Sequence, residues 1–289
     1  MKTFASISAL RAFLAPHRAA GAAIGFVPTM GALHEGHLSL IRRARAECPI
    51  AVVSIFVNPT QFGPSEDLAR YPRDLAGDTR LAAQAGADAI FAPTAAEMYP
   101  EGFCTWVEQD DETSRRLEGH FRPGHFRGVL TVCLKLFNIV QPQRAYFGQK
   151  DYQQAQLVRR MVSQLDLPLE IIVCPTVREP DGLAMSSRNR YLDAAARRQA
   201  ASIHRALDRA RAAAAAGERD PARLAEAIHA EVRAAGPCEI DYIAIADPET
   251  LAPIAELRGP AVALIALRIA GTRLIDNILI QPAVGPSCG

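Results

Sequence analysis

Short apolar runs alternate with segments of helical period through the first 175 residues or so. Ile24–Val27 reads as a strand that leads into a glycine-containing loop and then a helix over Gly36–Glu47. Ile50–Val57 is a continuous apolar run, and Ala89–Phe91, Arg144–Phe147 and Leu169–Cys174 are shorter ones. Between them, Asp74–Ala85, Gly128–Val140 and Asp151–Leu165 carry apolar residues at helical spacing. Uninterrupted apolar strands separated by helices predict a parallel sheet covered on both faces. In such sheets ligands bind outside the carboxyl ends of the strands. The polar clusters discussed below all follow a strand.

The pattern changes after about residue 177. Asp193–Ala216 reads as one Ala/Arg-rich helix, Gly217–Asp220 breaks it, and Pro221 opens a second helix to about Ala235, proline being tolerated at the first position. Three strands are then predicted at Glu239–Ala246, Ala261–Ile269 and Arg273–Ile280. Helices followed by a run of strands predict a small α+β domain. The expected organisation is α/β over 1–177 and α+β over 178–289.

Composition narrows the function classes. The chain has 289 residues, 49% of them hydrophobic, enough to bury a sizeable core. Its net charge of +1 gives no electrostatic case for a nucleic acid or a membrane surface as the main partner. An anionic ligand would need a local cluster of basic side chains and backbone N–H groups. Cys48, Cys104, Cys133, Cys174, Cys238 and Cys288 include no CxxC pair and sit mostly in apolar runs, as buried thiols of a reducing compartment would. The first 18 residues make a poor signal peptide and no stretch has the length of a membrane span, so a cytoplasmic location is expected.

The most informative segment is Phe26 to Ile41, FVPTMGALHEGHLSLI. His34 and His37 lie three residues apart where the helix is predicted to start, which puts both imidazoles on one face at a helix N-terminus. Backbone N–H groups and the helix dipole there favour an anion, and two imidazole donors complete a triphosphate cradle. Glycine at 36 leaves a flat surface for a purine or ribose. A solitary histidine at either position would read as a surface or capping residue; the HxGH pattern between strand and helix favours a nucleotide. It resembles the HIGH signature of the nucleotidyltransferase superfamily. That superfamily pairs such a loop with a basic, serine-containing loop late in a Rossmann-like domain, and Leu183 to Asn189, LAMSSRN, stands where this second loop belongs.

Other loops carry candidate chemistry. In Gly148 to Gln154, GQKDYQQ, Lys150 is a candidate charge for phosphates, and Asp151 is a helix cap or a ribose ligand. Gln61, in NPTQFG, and Gln154 are neutral amides suited to a substrate whose hydroxyls must be recognised and whose carboxylate must stay nucleophilic. His125 and Arg127 read as braces for the site or for a subunit contact. Asp78 and Asp67 are candidate magnesium-shell residues.

Taken together, PTMGALHEGH (28–37), NPTQF (58–62), GHFRGVLTV (124–132), FGQKDYQQ (147–154), PTVREPDGLAMSSRN (175–189) and TRLIDNI (272–278) resemble the pantothenate synthetase (pantoate–β-alanine ligase) family over nearly the whole chain. Gln149 stands where that family more often has Glu. The resemblance implies that Met30, Gly31, Ala32, Leu33, His34, Glu35, Gly36 and His37 bind ATP, with His37 as proton donor. Gly148, Gln149, Lys150, Asp151, Val177, Met185, Ser186, Ser187 and Arg188 would complete the ATP site. Gln61 would bind pantoate near β-alanine, and Gln154 would bind pantoate. It further implies a magnesium requirement, a homodimer, and a C-terminal domain acting as a lid, with Glu179–Gly182 as a pivot. An aminoacyl-tRNA synthetase-like enzyme, a transferase acting on a phosphate-bearing substrate, and a silent nucleotide sensor are the rival readings. Net charge, the neutral glutamines and the intact HxGH, Lys150 and SSR set argue against them in turn.

Overall fold

The structure, a computed structural model, describes residues 1–64 and 66–282. The chain divides into two compact units, Met1–Gln149 with Gln153–Pro175, and Lys150–Tyr152 with Thr176 onward.

In the first unit the chain runs β1 (Lys2–Phe4), α1 (Ile7–Ala19), β2 (Ile24–Thr29), α2 (Glu35–Glu47), β3 (Ile50–Ile55), α3 (Leu75–Gln84) and β4 (Ala89–Phe91). Three single turns, α4 (Ala95–Met98), α5 (Glu112–Arg115) and α6 (Glu118–Phe121), precede α7 (His125–Val140), β5 (Arg144–Gly148), α8 (Tyr152–Gln164) and β6 (Glu170–Cys174). The strands pair in parallel in the order β1-β4-β3-β2-β5-β6.

Strand alternation sorts the core into two layers. Phe26, Val52, Phe91 and Phe147 pack with Leu10 and Leu14 of α1, Leu130 and Phe137 of α7, and Leu157 and Met161 of α8. Val27, Val53, Ile90 and Tyr146 point the other way, onto Ile41 and Ala44 of α2 and Ala82 of α3. Helices therefore cover both faces. Strand order reverses between β2 and β5, so the ligand crevice of this sheet lies outside their carboxyl ends. Pro28 is accommodated inside β2, and the sheet begins two elements earlier than expected: the N-terminal segment forms β1 and α1, with Ser6 capping the helix by accepting from the Ala9 N–H at 3.3 Å.

The second unit contains α9 (Ala194–Ala200), α10 (Ser202–Ala215), α11 (Pro221–Ala234) and an antiparallel sheet β7 (Glu239–Ala246), β8 (Ala261–Ile269) and β9 (Thr272–Ile280) in that order. Ile203, Leu207 and Ala210 of α10 and Leu224 and Ile228 of α11 pack on Ile265, Leu267, Leu274 and Ile278. The single helix expected over Asp193–Ala216 is two. Ala201 has φ −61° and ψ −19°, a 3-10-like turn that interrupts the α-helical ladder between α9 and α10. Cys48, Cys133, Cys174 and Cys238 are buried free thiols, whereas Cys104 is exposed, contrary to expectation, in a segment without regular structure; Cys288 lies outside the described residues.

Candidate active site

The loop after β2 is organised by Asp78, which caps nothing on its own helix. Its Oδ2 accepts from the Ala32 N–H at 2.9 Å and its Oδ1 from the Leu33 N–H at 2.7 Å. Gly31 has φ +83°, and a Cβ there would meet Asp78 Oδ2 at 2.8 Å and Ile55 Cγ2 at 3.0 Å, so glycine is required twice over. Ala32, at φ +51°, is held in the left-handed region by the same carboxylate. Asp78 is only 3% exposed and both its oxygens are committed to backbone donors. The expected place in a magnesium shell gives way to a structural one: Asp78 shapes the loop. Asp67 opens a one-turn 3-10 segment, Asp67–Ala69. Among the described residues no group of three or more His, Cys, Asp or Glu side chains is arranged to hold a metal ion.

Past this loop, the two histidines form a reciprocal capping box at the start of α2. His34 is the N-cap, and its Nδ1 accepts from the Gly36 N–H at 3.2 Å; His37 Nδ1 accepts from the His34 N–H at 3.4 Å. The ring centroids are 4.1 Å apart. Capping and ligand binding are therefore compatible, because they use different atoms. A neutral imidazole whose Nδ1 accepts carries its proton on Nε2, so each ring is an Nε2–H donor. Ser39 Oγ donates to the Gly36 carbonyl at 2.8 Å, and Glu35 pairs with Arg42 on the solvent side.

Gln61 lies in the turn Pro59–Gln61 after β3 and is 8% exposed. Asn58, the N-cap of that turn, is the hub that holds it. Its Nδ2 donates to Gln61 Oε1 and to the Gly128 carbonyl, each at 3.1 Å, and its Oδ1 accepts from the Tyr99 hydroxyl at 2.9 Å. Gln61 Nε2 reaches Met30 Sδ at 3.0 Å, which brings this turn to the loop after β2. His125 braces the same residue from below: its Nδ1 is 2.8 Å from the Gln61 carbonyl and its Nε2 3.0 Å from Arg122 Nη1. Arg122 in turn forms a two-point pair with Glu66 at 2.7 and 2.8 Å. Burial first, and the Arg122 charge second, push His125 down from the ordinary 6.5 to about 4. Arg127 instead lies over the Trp106 ring, 5.1 Å from its centroid.

The adjacent glutamines of α8 divide their work. Gln153 is buried; its amide donates to the Thr113 and Arg116 carbonyls and accepts from the Glu118 N–H. Gln154 is half-buried, and its amide is not committed to the fold.

In the second unit, Gln149–Asp151 is a 3-10 turn, and Lys150 Nζ is 3.6 Å from Asp151 Oδ1. Val177 accepts at its carbonyl from the Met185 N–H at 3.0 Å. Between them Arg178 pairs with Ala184 in an antiparallel bridge, and Gly182 N–H closes the turn on the Glu179 carbonyl at 2.9 Å. That turn lies wholly inside the second unit, which begins again at Thr176, so Glu179–Gly182 is a closed hairpin turn and not the expected pivot. Ser186 Oγ accepts from the Arg188 N–H at 3.2 Å, capping the 3-10 segment Ser187–Tyr191; Ser187 is buried and Arg188 half-buried.

The sequence singled out Gln61 but not Asn58, Tyr99, Arg122 or Glu66, which fix it. Asn58-Pro was a visible turn signal; the other three come from distant segments with no local signature.

A doubly wound parallel sheet with an HxGH helix start at its switch point is that of a nucleotide-binding α/β protein. More particularly, the chain belongs to the pantoate–β-alanine ligase family: the family model described as pantoate-beta-alanine ligase matches residues 2–279. The pantothenate synthetase of Moorella thermoacetica is 54% identical over 281 residues, covering 97% of this chain and 99% of that one. That of Acidobacterium capsulatum is 58% identical over 258 residues, covering 89% and 86%. Among solved structures, the pantothenate synthetase of Thermus thermophilus superposes with a TM-score of 0.93 at 49% identity, covering 98% of this chain and all of that one. The pantoate-beta-alanine ligase of Francisella tularensis, complexed with beta-gamma ATP and beta-alanine, does so with a TM-score of 0.80 at 36% identity, covering 99% and 100%.

Proposed function

We propose that this chain joins pantoate to β-alanine in an ATP-dependent reaction that passes through a pantoyl adenylate. The pantoate carboxylate attacks the α-phosphorus of ATP in line, the bond to the β-phosphate oxygen breaks, and diphosphate leaves. The β-alanine amine then attacks the acyl carbon, loses a proton, and displaces AMP to give pantothenate. The observation that carries the reading is the reciprocal histidine box, which turns two imidazoles into paired Nε2–H donors at a helix start.

Met30 to His37, Gly148 to Asp151, Val177 and Met185 to Arg188 are the proposed ATP ligands. His37 is the proton donor, and His34, Lys150 and Arg188 meet the charge that develops on diphosphate. Gln61 and Gln154 hold pantoate, with β-alanine entering beside Gln61. Neutral amides suit this task, since a cation on the carboxylate would blunt its attack. Magnesium enters on the ATP phosphates, which matches a chain whose candidate Asp78 is fully occupied by backbone donors. The second unit is the lid that keeps water from the adenylate, and the enzyme works as a cytoplasmic homodimer, both on the strength of family membership.

The test is isotope exchange. With Mg-ATP, pantoate and labelled diphosphate but no β-alanine, label should return to ATP only when pantoate is present. No exchange in a protein that binds ATP would rule out the reversible adenylate. AMP release without β-alanine as fast as full turnover would remove the shielding role, and a monomer by light scattering would remove the dimer.

A further inference from the structure

The segment Thr272–Ile278, TRLIDNI, takes no part in the proposed ligand contacts, yet it carries two buried polar residues in the middle of β9. Leu274, Ile278 and Ile280 face the apolar core of the second unit, and strand alternation puts Asp276 on their side. A buried carboxylate is tolerated only when paired. Arg178 pairs it at two points, 2.6 and 3.0 Å, and the same guanidinium donates to the Gly182 carbonyl at 3.1 Å. This anchors to β9 the hairpin that runs into Ser186–Arg188.

Asn277, on the opposite face, is 2% exposed. Its Nδ2 donates to the carbonyl of Lys150 at 2.9 Å, and its own N–H donates to Asp276 Oδ1 at 2.8 Å. Lys150 is far away in sequence, at the end of β5, yet Lys150–Tyr152 forms part of the second unit, where the Tyr152 hydroxyl also donates to the Pro248 carbonyl at 2.9 Å. A leucine at 277 would serve the sheet equally well; what asparagine adds is a donor aimed at one peptide oxygen.

We propose that Asn277 is a positioning residue for adenylate formation: it fixes the backbone of Lys150, and Asp276 locks it in register with the Arg178 hairpin. The inference rests on Lys150 serving the nucleotide phosphates.

A double-mutant cycle in the full chain tests it, with single-turnover adenylate formation from Mg-ATP and pantoate as the readout and thermal melting as the check on folding. Asn277→Leu should slow the step about tenfold, the scale of losing a supporting contact to a reacting group, with the KM for β-alanine unchanged. Lys150→Ala keeps the carbonyl but removes the amine, so adding Asn277→Leu to it should cause no further loss. Asn277→Ala replaces Asn277→Leu in the cycle if leucine disturbs folding. A rate within twofold of the parent for the donor-less variant, or a full additional loss on top of Lys150→Ala, overturns the inference. If Lys150→Ala alone stays within tenfold of the parent, the role of Lys150 itself fails, an outcome distinct from the first.

Discussion

At His125 the two ring nitrogens have different duties. Arginine can only donate, so Nε2, facing Arg122, must accept, and the proton sits on Nδ1 and donates to the Gln61 carbonyl. The ring is therefore neutral by construction, in keeping with its lowered proton affinity. The unfolded chain takes up this proton near pH 6.5 and the folded chain only near 4, so the unfolded state binds more protons between those values and stability falls as pH falls through that window. The loss is about 3 kcal/mol at most. His125→Asn, which keeps a donor near Nδ1 but does not titrate, should remove that component. In urea unfolding at pH 7 and 4.5, the variant's stability should drop by less than the parent's; equal drops would contradict the lowered affinity. At His37, removal of a positioned donor should slow adenylate formation roughly a hundredfold or more in His37→Ala. Diphosphate exchange within tenfold of the parent would take His37 out of the chemistry.

Among the elements, the loop after β2 and the start of α7 are the places where the fold is least tolerant. Asp78→Ala strands the Ala32 and Leu33 N–H groups in a buried position, and each such loss costs about 1–3 kcal/mol. The variant should melt lower and bind ATP more weakly, and unchanged ATP affinity by calorimetry would mean the loop holds its shape without the carboxylate. Gly128 lets α7 lie directly against the turn that carries Gln61: a Cβ there would stand 2.4 Å from the Thr60 carbonyl oxygen. Gly128→Ala must push that turn aside, at about 1–3 kcal/mol, and should raise the KM for pantoate more than that for ATP. Equal changes in both would argue against a local effect.

Over the whole molecule, each unit has its own apolar core, so damage to one should register there first. Asp276→Ala leaves the Arg178 charge without its partner, a break worth about 3–5 kcal/mol in a buried pair. Hydrogen exchange should speed up in β8, β9 and α10 while the central strands β2 and β3 keep their protection. Uniform loss across both sheets would mean that the units unfold as one.

Apolar runs of four to eight residues were enough to place seven of the nine strands, because burial on both faces of a parallel sheet, or on one face of an antiparallel one, leaves its period in the sequence. β1, three residues at the chain's start, and the break between α9 and α10 left no such period. The remaining strand, β2, was legible only as far as Val27, since Pro28 reads locally as a turn and is carried into the sheet by pairing with β3. The HxGH loop was legible because its chemistry is contiguous: cap, glycine and both imidazoles lie within four residues. What only the tertiary structure decided is how those groups are held. Asp78 on the Ala32–Leu33 backbone, His125 on Gln61, and Asn277 on Lys150 join residues 46, 64 and 127 positions apart. Each is a single hydrogen bond to a peptide group, and a peptide group is the same at every residue, so nothing in the sequence marks which one a distant side chain will find.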